Sequence, residues 1–333
     1  MSKERIVFFT KSFGDGYNNS GVYDAAIYTA QFLESLNLDD RSGRAYTFSC
    51  NVYPVKDEEE LCGVVKTLNP SMVIIEGIWA DPEKIKAINN ITYVRSHSQW
   101  SFMGEDATRL IFEYKKRNVG IIFNDLETYE VFNCVGSRSF MSPNLCVYLP
   151  NLFPMYSNAV SLNYHPFNCY QETVPFRIGM FGELRPMKNH LMQVMAVRRF
   201  AAWLYEGYGV KTELNINTSF DTDPVLSSIR HIVANASDYL SLKEHFWLHG
   251  HEFNSVIQNM NLGLQVSFTE TFNLTSARFV CNDVPVIASK AVKWLPKKYT
   301  VDAHSPEQLF DLMIKFPVPQ YSFFGFDIIN YAT

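Results

Sequence analysis

Glu270 stands in a polar stretch, residues 267–273, between an apolar run at 262–266 and the start of a helical segment. A carboxylate placed there can accept hydrogen bonds from sugar hydroxyls. The helix start beside it leaves unpaired N–H groups and the positive end of the helix dipole, a natural place for an anion. Arg185 and Lys188 lie in a second loop of this kind, residues 182–190, ahead of another helical segment. Two cations near a helix start can hold a phosphate, each charge-assisted bond contributing about 1.5–3 kcal/mol. His97 sits in the polar string Arg95-Ser96-His97-Ser98-Gln99-Trp100, which follows a third apolar run. An imidazole there can orient a hydroxyl or take its proton.

These loops need elements that bring strand ends and helix starts to one edge. Runs at 6–10, 45–53, 72–76, 91–95, 119–123 and 147–149 read as strands, with those at 72–76 and 91–95 buried. Helical spacing at 21–36, 58–68, 82–88 and 105–116 alternates with them. After residues 151–175, which hold Pro154, Pro166 and Pro175 and no clear period, the pattern restarts. Strands are expected at 177–181, 211–217, 246–248, 262–266 and 284–288, and helices at 191–205, 225–234, 253–260 and 305–314. Strand–helix alternation predicts two mostly parallel α/β sheets, whose ligand sites lie at the carboxyl ends of the strands. The domain reading is 1–150, a linker over 151–175, a second domain over 176–316 and a C-terminal segment over 317–333.

Composition narrows the class. The chain of 333 residues is 47% hydrophobic and 19% charged, enough core for two globular domains. No apolar run nears the roughly 20 residues of a membrane span, and the N-terminus runs straight into a strand without a signal peptide, so a cytoplasmic protein is expected. Six scattered cysteines without a Cys-x-x-Cys pair read as free thiols. The loop after the first strand is Gly14-Asp15-Gly16-Tyr17-Asn18-Asn19. It lacks the third glycine of a dinucleotide fingerprint and the Gly-Lys-Ser/Thr of a phosphate loop, so nicotinamide, flavin and P-loop sites are rejected. No metal is expected. Asp221-Thr222-Asp223 precedes Pro224 and reads as a helix cap, and His249 with His251 lacks a third ligand at a sensible spacing.

The segment from Ser267 to Asn273, with the loop from Gly182 to Asn189, resembles the donor site of GT-B-fold retaining glycosyltransferases. That resemblance implies an α/β fold of two Rossmann-like domains facing across a cleft, with the C-terminal segment packing back on the first domain. Glu270 matches the first of the family's two spaced glutamates; the second position holds Arg278. Glu183 follows the loop glycine where the family usually has arginine, and Asp283 replaces the glycine before Val284-Pro285-Val286. The resemblance makes His97 and Glu270 the catalytic residues. It places Arg185, Lys188 and Asn273 on the donor diphosphate, and His249, Thr271, Phe272 and Arg278 on the donor nucleotide or sugar. Gly16, Asn19, Ser20, Arg95 and Ser98 would line the acceptor side.

Further segments, Asn19-Ser20-Gly21-Val22-Tyr23, Glu76-Gly77-Ile78-Trp79 and Val94-Arg95-Ser96-His97-Ser98, look like glycosyltransferases carried by tailed bacteriophages. Such enzymes imply a UDP-linked sugar donor and transfer of glucose or arabinose to 5-hydroxymethylcytosine in double-stranded DNA. The net charge of −5 leans instead toward a polysaccharide or protein acceptor. Arg278 keeps a third alternative open, an inactive GT-B fold that binds a sugar or nucleotide.

Overall fold

The computed structural model describes residues 2–12, 21–39, 45–100, 103–136, 146–153, 174–218, 223–246, 248 and 250–315. The chain divides into two compact units, Met1–Pro154 and Met155–Thr333.

In the first unit the order is β1 (Ser2–Lys11), α1 (Gly21–Ser35), β2 (Asn37–Asp39), β3 (Ala45–Val55), α2 (Glu58–Leu68), β4 (Met72–Glu76), β5 (Ile91–Ser96), α3 (Glu105–Lys116), β6 (Gly120–Phe123), α4 (Leu126–Gly136) and β7 (Cys146–Tyr148). The sheet runs β2-β3-β1-β4-β5-β6-β7 and is parallel except for the edge strand β2. Successive strand residues face opposite ways. Val7, Phe9, Val73, Ile75, Val94, Ile121 and Phe123 therefore pack with α2, α3 and α4, while Ile6, Phe8, Ile74 and Ile122 pack with α1. Both faces are covered, which is why these strands read as unbroken apolar runs.

The second unit contains β8 (Phe176–Met180), α5 (His190–Tyr208), β9 (Thr212–Asn217), α6 (Pro224–Ala234), β10 (Leu240–His245), α7 (Gly250–Ile257), β11 (Leu262–Gln265), α8 (Leu274–Cys281), β12 (Val286–Ser289), β13 (Thr300–Val301) and α9 (Pro306–Met313). Its sheet runs β10-β9-β8-β11-β12-β13, parallel throughout. Two glycines let α8 lie close to this sheet. A Cβ at Gly263 would sit 2.7 Å from the Phe279 ring, and one at Gly179 would sit 2.6 Å from Phe181. Phe181 and Phe279 stack over that gap with centroids 5.9 Å apart.

In each sheet the strand order reverses once. The first sheet grows from β1 to β3 on one side and then from β4 onward on the other; the second grows from β8 to β10 and then from β11 onward. The β1/β4 and β8/β11 borders are thus the switch points, where diverging connections leave a crevice at the carboxyl ends of the strands.

The expected parallel α/β architecture is the observed one, with local differences. Residues 82–88 make only one 3-10 turn, Lys84–Ala87, because the chain is already extended at Ile88 on its way into β5. The strand expected at 246–248 lies earlier, at Leu240–His245, an edge strand whose polar residues hid it. Phe246 is 85% exposed. Helix α4 went unread; Asp125 starts it by accepting from the Thr128 backbone N–H at 2.9 Å. Most of the expected linker, and the segment 317–333, lie outside the described residues.

Candidate active site

At the β8/β11 switch point two loops are fastened together by buried amides. After β8 the chain passes Gly182, at φ +134, and makes a single 3-10 turn over Pro186–Lys188. It then enters α5 through Asn189, at φ 57. The Asn189 side chain donates to the Val266 carbonyl at 3.2 Å and to the Ala303 carbonyl at 2.7 Å. Gln193 donates to the Lys188 carbonyl at 2.8 Å and accepts from the Val266 N–H at 2.9 Å. Gln265 donates to the Phe181 carbonyl at 2.7 Å, and the Phe268 N–H reaches the Met187 carbonyl at 2.9 Å. Buried polar groups must be paired, so each of these bonds resists displacement of either loop.

On this frame Lys188 Nζ lies 2.5 Å from Glu270 Oε1, with the glutamate side chain 8% exposed. Arg185 is exposed and pairs with exposed Glu183 at 2.7 Å. His190, buried beneath the loop, has its pKa lowered to about 4 by burial first and by the Lys188 charge second. Asn273 was expected on the donor diphosphate; its side chain caps α8, accepting from the Ser276 N–H at 2.7 Å and donating to Gln265 Oε1 at 3.1 Å. Thr271 and Phe272 are half-buried beside Glu270. The Phe272 ring stacks on Trp294 at 5.5 Å, and its carbonyl accepts from the Trp294 indole N–H. Arg278 is also placed differently from expectation. Its buried guanidinium donates to Asn254 Oδ1 at 3.0 Å and lies over Phe253, joining α8 to α7. His249 lies outside the described residues.

At the β1/β4 switch point the buried carboxylate of Glu76 ends β4. Arg95 Nη1 lies 3.4 Å from its Oε1, and both side chains are fully buried. His97 Nε2 lies 2.5 Å from its Oε2. Asn124 Nδ2 approaches His97 Nδ1 at 3.4 Å from the end of β6. Arg95 donates further to Thr29 Oγ1 at 2.9 Å, the Pro150 carbonyl at 3.0 Å and Asn151 Oδ1 at 3.1 Å. It was expected to line the acceptor side; with no exposed surface, it instead anchors Glu76. Ser98 is exposed, and its N–H points to Ser96 Oγ at 3.4 Å. Trp100, 45% exposed, is held by its backbone N–H, which donates to Thr128 Oγ1 at 2.9 Å, and edge-on by Phe132. Gly16, Asn19 and Ser20 lie outside the described residues.

The partners of His97 were not recognised in the sequence. The readable signal was the acid that closes the apolar run Met72-Val73-Ile74-Ile75-Glu76, beside an equally unusual Arg95 in the next strand. Among the described residues no group of three or more His, Cys, Asp or Glu is placed to hold a metal ion. Asp223 caps α6 by accepting from the Val225 N–H at 2.7 Å.

No family model matches this chain, and no curated protein matches it in sequence. Solved structures do match in fold. Anabaena HepE, solved in complex with UDP and glucose, is 13% identical over 94% of this chain and 89% of its own, with a TM-score of 0.64. Trehalose-6-phosphate synthase OtsA is 10% identical over 98% and 94%, with a TM-score of 0.62. A UDP-forming α,α-trehalose-phosphate synthase from Burkholderia xenovorans is 12% identical over 95% and 91%, with a TM-score of 0.59. At such identities the likeness shows the fold alone, and that fold is GT-B.

Proposed function

We propose that this protein is a nucleotide-sugar-dependent glycosyltransferase. The observation that carries the reading is the Lys188–Glu270 pair, locked at a switch point by buried amides in a GT-B fold. Glu270 accepts from hydroxyls of the donor sugar. Lys188 stabilises the charge that grows on the leaving diphosphate. Arg185 joins it: an exposed pair such as Arg185–Glu183 contributes only about 0–1 kcal/mol. A charge-assisted bond to phosphate contributes about 1.5–3 kcal/mol, so the diphosphate outcompetes Glu183. His97 orients the acceptor hydroxyl. UDP is the donor nucleotide best supported, since HepE was solved with UDP and with UDP-glucose.

The acceptor reading rests on the sequence resemblance to phage enzymes. It is 5-hydroxymethylcytosine in double-stranded DNA, with glucose or arabinose transferred with retention in the cytoplasm of an infected bacterium. A base-linked hydroxyl would reach the site by flipping out of the duplex. Arg278 in the place of the second glutamate favours one rival, an inactive sugar-binding module.

Incubation with hydroxymethylated DNA and a panel of nucleotide sugars, followed by mass spectrometry of the nucleosides, tests these readings. Added pentose or hexose mass establishes the reaction, acceptor and sugar. Hydrolysed donor without added mass keeps the transferase and removes DNA as acceptor. Intact donor leaves the binding module. In an active protein, Lys188→Ala should lower turnover more than donor affinity. Weakened donor binding with unchanged turnover would remove Lys188 from the leaving-group role.

A further inference from the structure

We propose that Glu76 is a positioning residue that fixes His97 as the Nε2–H tautomer, so that Nδ1 presents a lone pair to the acceptor hydroxyl. The acceptor part of this inference rests on the transferase reading; the tautomer part does not. A carboxylate only accepts, so the 2.5 Å contact with Glu76 Oε2 requires a proton on Nε2. At Nδ1 the neighbour is a donor, the Asn124 amide, at a long 3.4 Å. A weak donor facing a lone pair is readily replaced by a hydroxyl that makes a shorter bond. The carboxylate cannot turn away, because Arg95 faces its other oxygen and is itself held by Thr29, Pro150 and Asn151.

The same geometry says what a neutral amide would do. Arg95 has only donors to offer. In Glu76→Gln it therefore keeps the single amide oxygen and leaves the NH2 group facing His97. Nε2 must then present its lone pair, and the proton moves to Nδ1. Asn124 Oδ1, buried and without a hydrogen-bond partner among the described residues, is available to accept that proton once the amide turns. One substitution of nearly unchanged shape should thus exchange the two tautomers and cover the nitrogen that the hydroxyl needs.

Nitrogen-15 NMR of the histidine rings reads this directly, with His97→Asn used to assign the signal. Wild type should carry the proton on Nε2 and Glu76→Gln on Nδ1. Glu76→Asp, which keeps two acceptor oxygens, should behave as wild type. In Glu76→Gln acceptor-dependent turnover should fall roughly ten- to a hundredfold, the worth of one charge-assisted hydrogen bond. If Glu76→Gln does not fold, the wild-type and Glu76→Asp spectra decide the tautomer. A wild-type His97 protonated on Nδ1, or a folded Glu76→Gln that keeps its proton on Nε2, would overturn the proposal. The expected tautomers in a protein that turns over no donor would overturn the transferase reading instead, and the acceptor role of His97 with it.

Discussion

Burial decides how His190 behaves. Its folded pKa of about 4 lies below the ordinary 6.5, so between those values the unfolded chain takes up a proton that the folded one refuses. Stability from this group is complete above pH 6.5 and is lost as the pH falls through 4. The full loss is about 3 kcal/mol at most. Denaturant midpoints at pH 7 and 4.5 should therefore separate less in His190→Asn than in wild type; equal separations would mean that the ring titrates freely in the fold. Arg95 makes the opposite case, a charge that must stay. Arg95→Met leaves the Glu76 carboxylate buried without its cation and should cost about 3–5 kcal/mol by chemical denaturation. Adding Glu76→Leu should recover much of that; no recovery would mean that the other Arg95 hydrogen bonds dominate. Lys188 and Glu270 were legible in the sequence because each stands in a polar loop between regular segments. Glu76 was not, because an acid closing an apolar strand reads equally well as the chain leaving for solvent. Its two partners, Arg95 and His97, lie 19 and 21 residues away.

Elements with strong local signals were read nearly to their ends. Helix α2 begins at Asp57, which accepts from the Glu60 N–H, carries three acids in its first turn and ends at Asn69 with φ 42; each of these can be seen in the sequence. The misread elements lacked such signals. Strand β10 is polar because it lies at a sheet edge, so its period-2 pattern looked like a loop. Asp283 shows the reverse. The sequence marked it as a departure from an expected glycine, and its φ of 58 supplies the reason a glycine suits the position. Gly263 is constrained by closeness rather than by angle. Gly263→Ala would press a methyl group 2.7 Å from Phe279, lifting α8 off β11 or bending the strand, at a cost of about 1–3 kcal/mol in denaturant stability. Phe279→Leu in the same chain should return part of that loss. If Gly263→Ala is neutral, α8 is held less tightly than the packing says.

At the scale of the whole molecule, each unit has its own sheet, its own core and one switch point, and charged or polar chemistry has accumulated at both. The two sites are built differently. At β8/β11 the frame is made of neutral amides, and the cations Lys188 and Arg185 remain partly exposed, as a phosphate site requires. At β1/β4 the frame is itself an ion pair, and only His97 and its neighbours reach the surface. An anionic nucleotide should therefore choose the second unit. With UDP at about a hundred times its dissociation constant, the native state gains roughly 2.7 kcal/mol. Hydrogen exchange should then slow at residues 182–190 and 266–276, where the Gly182 N–H rests on Asn217 and the Ser276 N–H on Asn273. Residues 91–98 should exchange as before. Protection of 91–98 by UDP alone, with 182–190 unchanged, would move the nucleotide to the first unit. Lys188 and Glu270 would then be no more than a structural pair closing two loops.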